Sequence, residues 1–149
     1  MALRDVLRYL VTLQLSGRSN AVRAIYDYFV RGNANGSVAE LAERYGLEKK
    51  QLKNYVLHVL KWSGSINRVQ HAKLFVKALA PLVLQTVEPI IGIHDDVARC
   101  RVCGTTFPSH PWMLYHHVST KHRDLVEQHV DTIISILRKC CSGAASARR

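Results

Sequence analysis

Two cysteines and three histidines in the last third of the chain have the types and spacing of a metal site. Cys100 and Cys103 are separated by two residues, and His116, His117 and His122 follow within one short stretch. A Cys-x-x-Cys turn presents two thiolates to one tetrahedral zinc ion, and two histidines complete the coordination. Four protein ligands leave no open position for water or substrate. The pattern therefore predicts one structural Zn²⁺ ion rather than a catalytic one.

A redox function is the alternative interpretation of a Cys-x-x-Cys pair. Such a pair usually opens a helix after a strand of a βαβ unit, and the sequence around Cys100 does not predict that unit. The sequence also lacks a phosphate-binding loop, a nucleophile elbow and a convincing carboxylate pair. We therefore expect neither an enzyme nor a small-molecule substrate.

The apolar spacing around these ligands resembles that of the two-Cys, two-His zinc finger family over residues 98–122. Phe107 follows Cys103 after three residues, Met113 follows after five more, and His116 after two more. In that family an aromatic residue and a leucine occupy these two apolar positions. The resemblance implies four metal ligands: Cys100, Cys103, His116 and His122.

His117 with His122 is the alternative histidine pair. It shortens the gap between the two histidines, but it takes Phe107 and Met113 out of alignment with the family. Both pairs exceed the four-residue step that keeps two side chains on one helical face. The helix is therefore expected to loosen near residues 118–121.

The helix positions that read DNA in this finger family correspond by the resemblance to Ser109, Trp112 and Tyr115. None of them offers Arg, Asn or Gln to a base edge. Trp112 and Tyr115 instead suit a protein contact or stacking on an unpaired base. The remaining alternative is that both aromatic side chains pack against the N-terminal part of the chain.

The composition favours a polyanionic partner. The chain has 149 residues with 21 basic and 11 acidic side chains, a formal net charge of +10. An excess of this size favours nucleic acid or anionic lipid without distinguishing DNA from RNA. Residues 1–90 hold 13 basic and 6 acidic side chains, so most of the excess lies there.

The elements that position these residues are predicted to be mainly helices. Apolar periodicity predicts helices near residues 2–15, 19–31 and 49–62, with a break at Gly46. A short helix, a glycine-containing turn and a lysine-rich second helix resemble a helix-turn-helix. Residues 64–79 are expected to form two strands around a polar turn, with Ile66, Val69, Leu74 and Val76 in the strands. With that hairpin, residues 19–79 resemble the winged-helix family.

The second helix of this helix-turn-helix is the predicted DNA reader. Lysines neutralise phosphates, while Gln and Asn side chains can bond adenine edges in the major groove. Basic residues in the expected wing would reach the DNA backbone or minor groove. The predicted nucleic-acid contacts are Lys49, Lys50, Gln51, Lys53, Asn54 and Lys61 from the helix, with Arg68 and Lys73 from the wing.

An apolar stripe in the last helix offers either a homodimer seam or packing against the first helix. Its spacing alternates between four and three residues, as in a coiled coil. The stripe consists of Val126, Val130, Ile133, Leu137 and Cys140. Cys140 and Cys141 are interpreted as incidental, since adjacent cysteines do not easily share one tetrahedral ion.

Together these observations predict a mostly α protein in three parts. Residues 1–90 form a winged-helix-like nucleic-acid-binding domain, residues 91–142 a zinc finger that continues into a C-terminal helix, and residues 143–149 a flexible basic tail. No run is long enough for a membrane span, so an intracellular protein is expected. The predicted function is duplex DNA binding in transcriptional regulation; the alternatives are RNA or ribosome association, and a protein adaptor that uses the finger's aromatic residues.

Overall fold

The computed structural model describes residues 2–31, 38–64 and 68–147, and within them the chain is mostly helical, as predicted. No helix in these three ranges combines the length and apolarity that a bilayer crossing requires. A small sheet lies between the fifth and sixth helices. In chain order the elements are α1 (Ala2–Leu15), α2 (Ser19–Tyr26), a π-helical turn (Asp27–Arg31), α3 (Val38–Arg44), α4 (Lys49–Trp62), α5 (Arg68–Thr86), β1 (Ile91–His94), β2 (Val97–Cys100), β3 (Thr106–Pro108), α6 (Pro111–Lys121) and α7 (Arg123–Ala147).

Helix α1 lies at the centre of the fold. It contacts α2, α4, α5, α6 and α7, so nearly every layer of the protein packs on it. A helix covered on most sides must be apolar around most of its circumference. Its buried side chains meet that requirement: they include Val6, Leu7, Tyr9, Leu10, Val11, Leu13 and Leu15.

The segment that resembles a helix-turn-helix forms two helices, α3 and α4, joined by a short turn. Gly46 ends the first helix with a φ of +68°, a left-handed conformation that glycine adopts without steric penalty. Tyr45, in the same turn, donates its hydroxyl to the buried carboxylate of Asp27 and accepts a bond at its carbonyl from Asn20 Nδ2, at 2.9 Å. These two bonds tie the turn to α2 and to the π-helical turn, and so fix where α4 begins.

The predicted wing is wrong, because residues 68–86 form helix α5. The prediction placed Val69 and Leu74 in two strands, yet both lie in α5 with side chains that are 62% exposed. The buried side chains of this segment instead recur at helical spacing, which places them along one face. They are Ala72, Val76, Leu79, Ala80 and Val83. Ile66 lies outside the described residues.

The sheet is antiparallel, in the order β1–β2–β3. Ile91 pairs with Cys100, and Ala98 pairs with Phe107. The approach to β1 is bonded to the first helix, because Ile90 donates its N–H to the Leu15 carbonyl at 2.9 Å. The sheet that carries Cys100 is therefore fastened directly to the end of α1.

The apolar stripe of helix α7 packs against another helix of the same chain. Val126, Val130 and Ile133 are buried where α7 packs on α1. Ion pairs border this contact: Arg4 bonds Asp131 at 2.7 Å and Glu127 at 3.0 Å. Of the two alternatives that the sequence allowed, a homodimer seam or packing on the first helix, the second is therefore observed for these three residues. The helix continues to Ala147, into the segment expected to be a tail, and the Cys140 and Cys141 side chains lie outside the described part.

Candidate metal centre

Four side chains from the sheet and the two C-terminal helices converge on one point. Cys100, Cys103, His117 and His122 each offer one ligand atom, and these atoms all lie within 4.8 Å of one another. Cys100 Sγ is 3.2 Å from His122 Nε2, and Cys103 Sγ is 3.5 Å from His117 Nε2. The four residues are positioned to hold one metal ion.

The backbone of the turn after β2 aims both thiols at the same point. Gly104 donates its N–H to the Cys100 carbonyl at 2.8 Å, and the Cys100 N–H donates to the Thr105 carbonyl at 2.9 Å. Gly104 has a positive φ of +76°. Since a side chain at that φ would be strained, glycine is the residue that closes this turn at the least cost.

The two histidines reach the same ion because the helix is interrupted. Five residues along a continuous helix correspond to a rotation of roughly 140° away from the starting face, which would separate His117 from His122. Helix α6 ends at Lys121 and α7 begins at Arg123, and His122 between them has φ −122° and ψ 34°. The helix is therefore interrupted as predicted, but at His122, one residue after the expected stretch of 118–121.

His116, the predicted third ligand, lies outside this group, and His117 takes its place. His116 is exposed and stacks on Trp112, with ring centroids 5.1 Å apart and planes at 10°. The His117 ring instead lies 4.9 Å from Phe107 and 5.0 Å from His122. The alternative histidine pair is therefore the one that the structure brings together.

The reason for the error is a one-residue shift at the start of α6. Leu114 is fully buried, whereas Met113 is only partly buried, so Leu114 holds the apolar position that the family resemblance gave to Met113. Two residues separate Leu114 from His117, which restores the family spacing from the leucine to the third ligand. The extra residue lies between Phe107 and α6, where spacing is free to vary because no helix has begun.

The chemistry of the donor set fits a metal ion. Bonds from the Thr105 hydroxyl and backbone lower the pKa of the Cys103 thiol to about 5, which favours the thiolate that metals bind. With Zn–S near 2.3 Å and Zn–N near 2.0 Å, a tetrahedral site has sulfur–nitrogen edges of about 3.5 Å. The two observed separations lie close to that value. Thr105 was missed in the sequence because hydroxyl support of a thiolate has no spacing rule.

The two aromatic residues of α6 have different environments. Tyr115 packs inward on Tyr9 of α1, with ring centroids 5.7 Å apart, and burial raises its pKa. Trp112 remains 65% exposed. Packing on the N-terminal part of the chain, one of the two alternatives, therefore holds for Tyr115 and not for Trp112.

The lysines predicted to contact nucleic acid lie on the solvent side of α4. Lys49, Lys50, Lys53 and Lys61 are exposed, as is Asn54. Among the described residues none of these lysines takes part in an ion pair, since the salt bridges involve other side chains. Lys61 Nζ lies over the Trp62 ring at 5.3 Å.

Two other predicted contacts, Gln51 and Lys73, have different surroundings from those expected, and the side chain of a third is not described. The side-chain oxygen of Gln51 accepts the Glu48 N–H at 2.9 Å, so this oxygen closes the first turn of α4 and is not free to accept from a base. Lys73 lies on α5 beside an apolar cavity of about 230 Å³, with Phe29 and Leu60 on its walls. Arg68 is the first residue of α5, and its side chain is outside the described set.

Comparisons with known proteins give no match: no protein-family model, no curated protein and no solved structure is similar to this chain.

Proposed function

We propose that this chain is a DNA-binding protein, a transcriptional regulator that reads duplex DNA with α4. The observation that carries the proposal is the charge of that helix. Its residues 49–62 include four lysines and no carboxylate. Because these ammonium groups have no ion-pair partner in the described chain, their charge is available to phosphates.

The surroundings of α4 support a reading role. The helix follows a short turn from α3, and the Tyr45 bonds to Asp27 and Asn20 hold that turn against α2. Leu52, Val56 and Val59 bury the opposite face of α4. A helix anchored on one side and exposed on the other can enter a major groove as a rigid body. Asn54 then offers an amide to a base edge, and the lysines offer charge to the backbone.

The metal centre is assigned a structural role with Zn²⁺ as the bound ion. Two thiolates and two imidazoles are the donor set that tetrahedral zinc prefers, and four protein ligands leave no coordination position for substrate. Three of the four are accessible to solvent, which permits metal entry: Cys103 is exposed, and His117 and His122 are partly exposed. In this role the ion holds β2, the turn after it and the junction of α6 with α7.

The test is duplex affinity measured by fluorescence anisotropy at several salt concentrations. Lys50→Ala combined with Lys53→Ala should weaken binding and lower the slope of log K against log salt by about one for each phosphate that the variant no longer neutralises. Arg138→Ala with Lys139→Ala is the matched control, because it removes two exposed charges from α7. Unchanged affinity and slope in the α4 variant, or an equal loss of affinity in the control, would refute the proposal.

A further inference from the structure

The side chains of Trp112 and His116 form an exposed, flat stack on the outer side of α6. Their planes are nearly parallel, at 10°, and the ring centroids lie 5.1 Å apart. One face of the indole therefore rests on the imidazole, while 65% of the Trp112 surface stays open to solvent. Their spacing of four residues makes them neighbours on one face of α6, and neither the metal group nor the protein core includes these two rings.

The stack is held rigidly. On the opposite face of α6, Leu114 and Val118 are buried in the core, and His117 belongs to the metal group. At the start of the helix, His110 Nδ1 accepts a hydrogen bond from the backbone N–H of Trp112 at 3.3 Å. A ring presented by an anchored helix loses little conformational entropy when a ligand binds it.

The surroundings of the indole are polar. The exposed positions of α6 are Trp112, His116, Thr120 and Lys121, so no second large apolar side chain extends the surface along this helix. A protein interface normally buries a contiguous cluster of apolar side chains behind a polar rim. A single aromatic plane among polar and basic groups is instead what stacking on another flat ring requires.

We propose that the Trp112–His116 stack binds an unpaired base of single-stranded nucleic acid. The inference rests on the proposed nucleic-acid function and adds a second contact site to it. Exposed basic side chains of the same module supply attraction for the sugar-phosphate backbone on either side of the base. Arg99, Arg101, Lys121 and Arg123 are all exposed, and no salt bridge within the described ranges involves them.

The experiment uses the full chain with Trp62→Phe, so that Trp112 is the remaining tryptophan. Titration with a short oligothymidylate strand should quench Trp112 fluorescence, because a base stacked on the indole lets its excited state decay without emitting light. By anisotropy with a labelled strand, Trp112→Ala should weaken binding between about 5-fold and 150-fold, the range of one base–aromatic contact. His116→Ala should weaken it less and leave zinc content unchanged, and Trp112→Phe should retain part of the affinity.

Val97→Ala is the matched control, since Val97 is another exposed apolar side chain of the same module. Its affinity for the strand should equal that of the parent chain. Absence of quenching, or equal strand affinity in Trp112→Ala and the parent, would overturn the inference and leave the indole to a protein partner. Duplex affinity separates this result from the α4 proposal: if the Lys50/Lys53 variant binds duplex normally while Trp112→Ala loses the single strand, the α4 proposal fails and the stacking site stands.

Discussion

Tyr9 of α1 stacks face to face on His58 of α4, with ring centroids 5.5 Å apart and planes at 16°. On its other side Tyr9 contacts Tyr115 of α6 at 5.7 Å. His58 in turn lies 2.7 Å through Nδ1 from the carbonyl of Asn54, a residue on the exposed side of α4. One buried ring thus joins the metal-bearing helix to the helix assigned to DNA reading.

Replacing that ring should destabilise both parts together. We expect Tyr9→Ala to lower the free energy of unfolding by about 3 kcal/mol or more, because a large buried aromatic leaves a cavity. Tyr9→Phe keeps both stacks and should change stability by less than about 1 kcal/mol. Urea denaturation followed by circular dichroism measures both values. A small loss of stability in Tyr9→Ala would mean that the α1 contacts close around the gap.

The ligand set predicts which histidine variant loses its metal. Bound zinc per chain should fall in His117→Ala and stay near one in His116→Ala, because only His117 lies within the ligand group. Elemental analysis after dialysis against a weak chelator measures the ratio. Since the two residues are adjacent and both substitutions remove one imidazole, each is the control for the other. Loss of zinc in His116→Ala alone would restore the alignment that the family resemblance implied.

Metal binding should stabilise the whole fold rather than the C-terminal module alone. Helices α6 and α7 pack on α1, so releasing the ion loosens contacts that the central helix needs. Once free zinc exceeds its dissociation constant, each tenfold increase should add about 1.4 kcal/mol to the free energy of unfolding. Thermal unfolding of the α-helical signal at buffered zinc levels tests this. A midpoint independent of zinc would show that the ion does not support the core.

Two neighbouring positions of α5 distinguish a helix from the predicted strand. Val76→Ala should cost about 2 kcal/mol because Val76 is buried. Leu74→Ala should stay within about 0.5 kcal/mol because Leu74 is largely exposed. In a strand these side chains would lie on the same face and their substitutions would cost similar amounts. Equal costs in urea denaturation would therefore argue against α5.

The ion pair between Arg8 and Glu127 should stabilise the fold only at pH values at which the Glu127 carboxyl is ionised. The bonds from Arg8 and then Arg4 lower the pKa of Glu127. Its ionised form therefore stabilises the fold above the ordinary glutamate pKa of about 4.3, and this contribution fades as pH falls through the lowered value. Glu127→Gln should cost about 0.5 kcal/mol at pH 7, since both side chains are partly exposed.

The measurement is the difference in urea stability between Glu127→Gln and the parent chain as pH is lowered. That difference should shrink, and at neutral pH it should also shrink with added salt. Glu88→Gln is the control, because Glu88 is exposed and outside the ion pairs of the described chain. A difference that grows on acidification would contradict the sign of the Glu127 shift.

Local spacing was enough to predict much of this fold. The helices near α1 and α4 and both cysteines in the metal group follow from apolar periodicity and from the Cys-x-x-Cys spacing, which are local in the sequence. The third ligand could not be predicted in this way. Its identity depends on whether Met113 or Leu114 is buried in the core, and that is decided by packing and not by local spacing. The prediction of the wing was wrong because Val69 and Leu74 are apolar but exposed. Counting them as strand residues produced a strand pattern, whereas the side chains that are buried recur at helical spacing.

The position of α1 also determines when the core around it can close during synthesis. Helix α1 is synthesised well before its partners α6 and α7, and the Arg4–Asp131 pair spans 127 residues. Until those segments emerge, the apolar faces of α1 that they cover stay open to water or to chaperones. The native core therefore closes only once α7 has been synthesised, and contacts of such long sequence separation are expected to slow that step.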